Sequence, residues 1–178
     1  MVGESSTREE KKVLYTEIDI RKYFEEIWLP LGIFFDACPL YAPKFCKWPA
    51  STNFHHNWTG GLWQHTYETI VIAQTSPLCG LNEIVACFWH DMGKLIEYNV
   101  AGTKVETANS HVNHSAMLYL ANKDIYKVPS LDPDIIVNEI YAHHKKPEWG
   151  ALKIAIIEGK FFVHNADSCS SKIGAIRR

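Results

Sequence analysis

The sequence predicts an all-α domain of six or seven helices, and three observations carry that reading. Apolar residues recur at helical spacing, as in Ile20, Phe24, Ile27 and Trp28. Helix-start signals stand in front of such runs, most clearly Asp132-Pro133, a cap followed by proline at the first helical position. Hairpin chemistry is confined to one place, near 97–107, where Ala101-Gly102 separates Tyr98-Asn99-Val100 from Thr103-Lys104-Val105, and a short β-hairpin is expected there.

Residues 1–12 read as a flexible charged lead-in, and 13–178 as one domain. A first helix is expected over 18–28, ended by Pro30. Between Pro39 and Pro49 prolines alternate with Tyr41, Phe45 and Trp48, which predicts an irregular, ordered loop. Gly60-Gly61 opens a helix through Ala73, and another is expected from Leu81 to His90 with Asn82 as its cap. Gly93 stands where a helix C-terminus favours glycine. Asn109 or Ser110 caps a helix from His111 to about Ala121; Asp132-Pro133 starts one through His143, and a last helix runs from near Gly150 to about Ile173.

At 178 residues and 47% hydrophobic content the chain suits one well-filled core. A net charge of -2 provides no basic field for a long polyanion, so long nucleic acid is not expected as a partner. Five cysteines without a C-x-x-C pair argue against a disulfide framework or a zinc ribbon. The polar start and the lack of any run near the ~20 apolar residues of a membrane span lead to the expectation of a soluble, cytoplasmic protein.

The nine histidines carry the functional signal. His90-Asp91 offers two kinds of metal ligand from one backbone position, and a carboxylate can bridge two cations roughly 3.5–4 Å apart. Around this pair His65, His114, His143 and Asp167 fall on separate helices. Ligands scattered in sequence and held on rigid elements suit a catalytic centre with open positions, unlike a closely spaced structural zinc knuckle.

The order H, HD, H, H, D, with His90-Asp91-Met92-Gly93-Lys94 reading as H-D-x-G-K, resembles the HD-domain superfamily of metal-dependent phosphohydrolases. His55-His56 through Gly60-Gly61-Leu62 to His65 is similar to the opening of the branch that includes bacterial HD-domain 3'-to-5' exoribonucleases. His143-His144, Pro147 to Gly150, and His164 to Asp167 with Lys172 are similar to its closing motifs, so the resemblance spans 55–172. It implies an HD-domain helical bundle and a dinuclear centre of two divalent ions (Mn, Fe, Co, Ni or Zn) on His65, His90, Asp91, His114, His143 and Asp167. The implied activity is cleavage of a phosphoester, mono or di, by a metal-activated hydroxide. Those exoribonucleases carry an oligonucleotide-binding barrel before the HD domain. Only about fifty residues precede His55, so a nucleotide or short oligonucleotide is the expected substrate.

Adjacent helical side chains point about 100° apart, so one of His143 and His144 is expected as a metal ligand. We take His143, leaving His144 for substrate and catalysis, with the converse assignment open. Lys94 and His56 are further expected substrate contacts, and Asp91 and Lys94 catalytic ones. Glu68, one turn after His65, either orients it or is a solvated carboxylate; His164 is expected to support the centre without ligating. Trp58, Trp63, Trp89 and Trp149 are candidates to stack a base, with core packing as the competing role. Six-ligand HD centres also occur in di-iron oxygenases, and a non-catalytic nucleotide-binding module is the remaining alternative.

Overall fold

A computed structural model describes residues 15–99, 103–105, 109–147 and 162–176. They fold as the expected all-α bundle. Among the described residues six helices run nine residues or longer.

Helix α1 (Glu17–Ile27) begins with a reciprocal cap in which Thr16 Oγ accepts from Asp19 N and the Asp19 carboxylate accepts from Thr16 N. It buries Ile20 and Phe24, one turn apart. A 3-10 turn (Leu29–Gly32) leads into α2 (Ile33–Ala37). The Pro-rich segment expected as an irregular loop contains a short helix, α3 (Ala42–Lys47), because Pro43 falls in the first turn, where its missing N–H costs nothing.

Helices α4 (Gly61–Ala73) and α5 (Leu81–Trp89) lie where expected. The α5 cap differs. Gly80 occupies it, its N–H donating to the Glu83 carboxylate at 2.9 Å, while the Asn82 side chain instead accepts from Asp132 N at 2.9 Å. After His90-Asp91 the chain re-enters a short helix, α6 (Lys94–Glu97). Of the expected hairpin the described residues show one antiparallel bridge, Tyr98 with Lys104, flanked by Val105 N to Glu97 O at 2.7 Å. Its Ala101-Gly102 tip lies outside the described residues.

Helix α7 (His111–Asn122) precedes a 3-10 turn (Lys123–Ile125), and α8 (Pro133–Ala142) follows. Asp132 caps α8 as predicted, Oδ1 accepting from Asp134 N and Ile135 N at 2.9 and 3.3 Å. Asp132→Ala is expected to cost about 1 kcal/mol of stability, read as a lower denaturation midpoint. Helix α9 (Phe162–Ile176) runs three residues past its expected end; its expected start near Gly150 lies outside the described residues.

Helix α9 packs along α4, α5 lies between α4 and α8, and α7 packs on α8. The core is aromatic: Phe24 and Phe34 meet Phe88 edge-on at 5.2 Å, and the Trp89 indole N–H donates to Tyr126 Oη at 2.7 Å. This packing sets α4, α5, α7, α8 and α9 around one point at the C-terminal end of α5. Among the described residues no helix is long and apolar enough to cross a membrane.

Candidate metal centre

Helix α5 ends against the core, and its last turn delivers His90 and Asp91 into the space enclosed by α4, α7, α8 and α9. His65, His90, Asp91 and His143 are each at most 2% exposed. His65 Nε2 lies 3.3 Å from His90 Nε2, 3.4 Å from Asp91 Oδ2 and 3.1 Å from Asp167 Oδ1. His90 Nε2 is 3.5 Å from the same Asp91 Oδ2. The other oxygen, Asp91 Oδ1, faces His111 Nε2 at 3.5 Å and His143 Nε2 at 3.9 Å. Asp91 thus turns one oxygen to each half of the site.

The hydrogen bonds behind the rings fix their tautomers. A carbonyl only accepts, so His90 Nδ1 donates to Cys87 O and His143 Nδ1 donates to Ile140 O, both at 2.6 Å. Behind His65, Ser170 Oγ donates to Glu68 Oε2 at 3.0 Å, and its lone pair accepts from His65 Nδ1 at 3.0 Å. All three rings therefore present an Nε2 lone pair to the centre. Two facing lone pairs 3.3 Å apart, beside two carboxylates, repel unless a proton or a metal ion lies between them.

Electrostatics point the same way. Burial would raise the Asp91 pKa, but Lys94 and His90 outweigh it and hold the carboxyl well below its usual range. Asp167 is lowered as well: burial opposes, and the surrounding histidines, His65 first, prevail. Burial pushes His65 down and His143 well down, keeping both neutral. At His90 burial also opposes charge, yet Asp91 prevails and the pKa rises; the site favours a cation at that Nε2. Asp91 Oδ1 and His143 Nε2 are buried without a hydrogen-bond partner. Buried polar groups are otherwise almost always paired, so this donor set fits a divalent metal.

Three groups of side chains bring ligand atoms within 4.8 Å of one another among the described residues: His65, His90 and Asp91; His111, His143 and His144; His55, His56 and His65. His114, expected as a ligand, belongs to none of them, and His111 stands at Asp91 in its place. The placement of His111 depends on Gly93. A Cβ there would lie 1.9 Å from His111 O and 2.8 Å from Ser115 N, and Gly93 N donates to Ser115 Oγ at 2.8 Å. Gly93 has ordinary right-handed helical dihedrals (φ −61°), so it is not the left-handed cap expected from sequence; what it supplies is room for α7.

His143 points at Asp91, and the adjacent His144 turns away to place Nε2 3.1 Å from His111 Nε2. His111 Nδ1 lies 3.6 Å from Glu97 Oε2. Lys94 Nζ contacts Asp91 Oδ2 at 2.5 Å; burial opposes its charge and Asp91 outweighs it, so the ammonium is kept. His164 Nδ1 donates to His143 O, holding the backbone behind the ligand.

His56 corrects a second expectation. It is fully buried and cannot meet substrate, with Nδ1 3.2 Å from His55 Nδ1 and Nε2 3.2 Å from Glu68 Oε2. Its left-handed backbone (φ +48°) turns the ring under α9, where a Cβ on Gly174 would lie 2.3 Å from it. His55 takes the exposed side, with Nε2 3.0 Å from Ser171 Oγ, which donates to Asp167 Oδ1 at 3.3 Å. Glu68 and Ser170 thus act on His65 from behind. The spacing to His65 signals Glu68 but not Ser170, which lies on α9, far along the chain from α4. Ser170→Ala is expected to weaken metal binding about 10- to 100-fold, as measured by metal titration, and to cost the apo protein about 1–3 kcal/mol, because the buried His65 Nδ1–H loses its acceptor.

The centre forms the floor of a cleft of about 1180 Å³, whose walls include Ser51, Phe54, Lys104, His144 and Lys172.

Among curated proteins the chain is similar to the 3'-5' exoribonuclease YhaM of Bacillus licheniformis, 26% identical over 147 residues. The match covers 78% of the chain and 47% of that protein, so the chain spans about half the length of the curated relative. The relationship is distant. No family model matches the sequence. No solved structure matches either.

Proposed function

We propose that the chain is a metal-dependent phosphohydrolase of HD type that cleaves a phosphoester of a nucleotide or short nucleic acid. One observation carries the reading: a buried Asp91 directs its two oxygens at two sets of imidazole nitrogens, at the floor of an open cleft. His65, His90, Asp91 and Asp167 would hold one divalent ion; Asp91, His111 and His143 would hold the second. Such ions, when bound, lower the pKa of water toward neutrality and set positive charge against a phosphate. The distant likeness to an exoribonuclease supports phosphoester chemistry over the di-iron oxygenase alternative.

The chain's own residues supply the rest. Ser170, Cys87 O and Ile140 O fix the three rings so that no reorientation is needed at the moment of reaction. Lys94 lines the cleft with its charge maintained by Asp91 and is placed to meet a phosphate oxygen. His144, at the cleft wall beside His111, is the nearest imidazole outside the proposed ligand set to hold or move a proton on the leaving group.

The test is release of phosphate or nucleotide by manganese-loaded protein from a panel of mononucleotides and short oligonucleotides. Turnover lost in His90→Ala supports the proposal. No release above that variant, together with iron-dependent oxygen consumption, would replace hydrolase by oxygenase.

A further inference from the structure

We infer that Phe54 is a stacking platform for a nucleobase, which makes the cleft selective for phosphates carrying a base. The inference rests on the phosphohydrolase reading for the orientation of the ligand, phosphate inward and base outward.

Phe54 is 73% exposed, the most exposed aromatic side chain among the described residues, and it lines the same cleft as the metal centre. The tryptophans considered for this role are placed otherwise. Trp63 and Trp89 are 6% and 1% exposed in the core, and Trp58 donates to Gln64 Oε1 while its ring packs on His56. Trp149 lies outside the described residues.

An exposed ring on a mobile loop would mean little, but this loop is pinned. Ser51 Oγ accepts from Asn53 N at 3.3 Å and from Phe54 N at 2.9 Å. Ala50 N donates to His56 O at 3.0 Å, closing the loop beneath Phe54. On the far side of the peptide, His55 is tied through Ser171 to Asp167, and its ring lies 4.8 Å from that of His65. The residue after Phe54 thus touches a proposed ligand, and hydrogen bonds set the backbone from which the ring projects.

Chemistry selects the occupant. The floor attracts phosphate, and the cleft is larger than the roughly 300–1,000 Å³ of an ordinary small-ligand pocket, leaving space for more than the phosphate itself. A flat apolar ring held in water at its edge suits a π-face, and every nucleobase presents one, so stacking is tolerant of sequence. Lys104 and Lys172 on the walls suit further phosphate charge.

The test is calorimetric titration of manganese-loaded wild type, Phe54→Ala and Phe54→Trp with the 5'-phosphorothioates of adenosine and of ribose, which hydrolyse slowly enough to survive a titration. Phe54 is exposed, so its truncation leaves no core cavity. Wild type should bind the adenosine ligand about tenfold or more tighter than the ribose ligand. Phe54→Ala should bring the ratio to within about twofold, with ribose affinity unchanged, and Phe54→Trp should restore it. An unchanged ratio in Phe54→Ala, no preference in wild type, or binding of neither ligand overturns the inference. Turnover is read separately on the same preparations: base preference without turnover would sink the hydrolase reading and leave the base subsite standing, whereas turnover without base preference would do the reverse.

Discussion

Asp91→Asn is expected to empty the proposed centre of metal and to reduce phosphoester hydrolysis by about three orders of magnitude or more, since two-metal stabilisation amounts to several kcal/mol. Among the described residues no other side chain addresses both halves: Oδ2 faces His65 and His90, Oδ1 faces His111 and His143. A competing explanation of lost activity is lost folding. Asparagine strands the Lys94 ammonium, which the structure keeps nearly buried on Asp91, and breaking a buried pair by removing one partner costs about 3–5 kcal/mol. Asp91→Asn with Lys94→Met removes both charges and should recover most of that stability without recovering metal. Metal content and denaturation midpoint, measured on both variants, separate the two effects. Recovery of metal in the double variant would show that Asp91 is structural.

Gly93→Ala should combine the next largest effects. The added Cβ would meet the carbonyl of His111 at 1.9 Å and the backbone N of Ser115 at 2.8 Å, and backbone cannot rotate aside as a flexible side chain can. Overpacking of this kind costs about 3 kcal/mol, the upper end of its usual range. The start of α7 must also move by about 1 Å, and a displacement of that size in a catalytic group costs about 100-fold in rate. Both losses are expected, read as a lower denaturation midpoint and a lower kcat. Gly93→Ala that lowered the midpoint while leaving kcat intact would mean that His111 is not part of the centre.

The sequence carried local decisions well. Asp132-Pro133 started α8, and Gly60-Gly61 opened α4, because capping and backbone preference act within a turn. The convergence of His65, His90, Asp91, His143 and Asp167 on one point was legible from their order and chemistry, which do not depend on distance along the chain; that they hold metal is the proposal. His111 against His114 was not legible. Both sit in the first half of one helix, and the choice is made by how closely α7 approaches Gly93, a tertiary contact. The same holds for His55 and His56, whose inward and outward roles follow from one left-handed backbone angle. Glu68 was legible as one of two readings and Ser170 not at all, since the bond that joins them depends on α9 packing along α4. Phe54 gives no signal in the sequence, because its exposure at the cleft depends on the loop that Ser51 closes.

The most direct measurement is anomalous scattering from crystals of the manganese-loaded protein. Two peaks should flank Asp91, one among His65, His90 and Asp167 and the other between His111 and His143. A single peak, a second peak at His114, or manganese bound away from Asp91 would contradict the account.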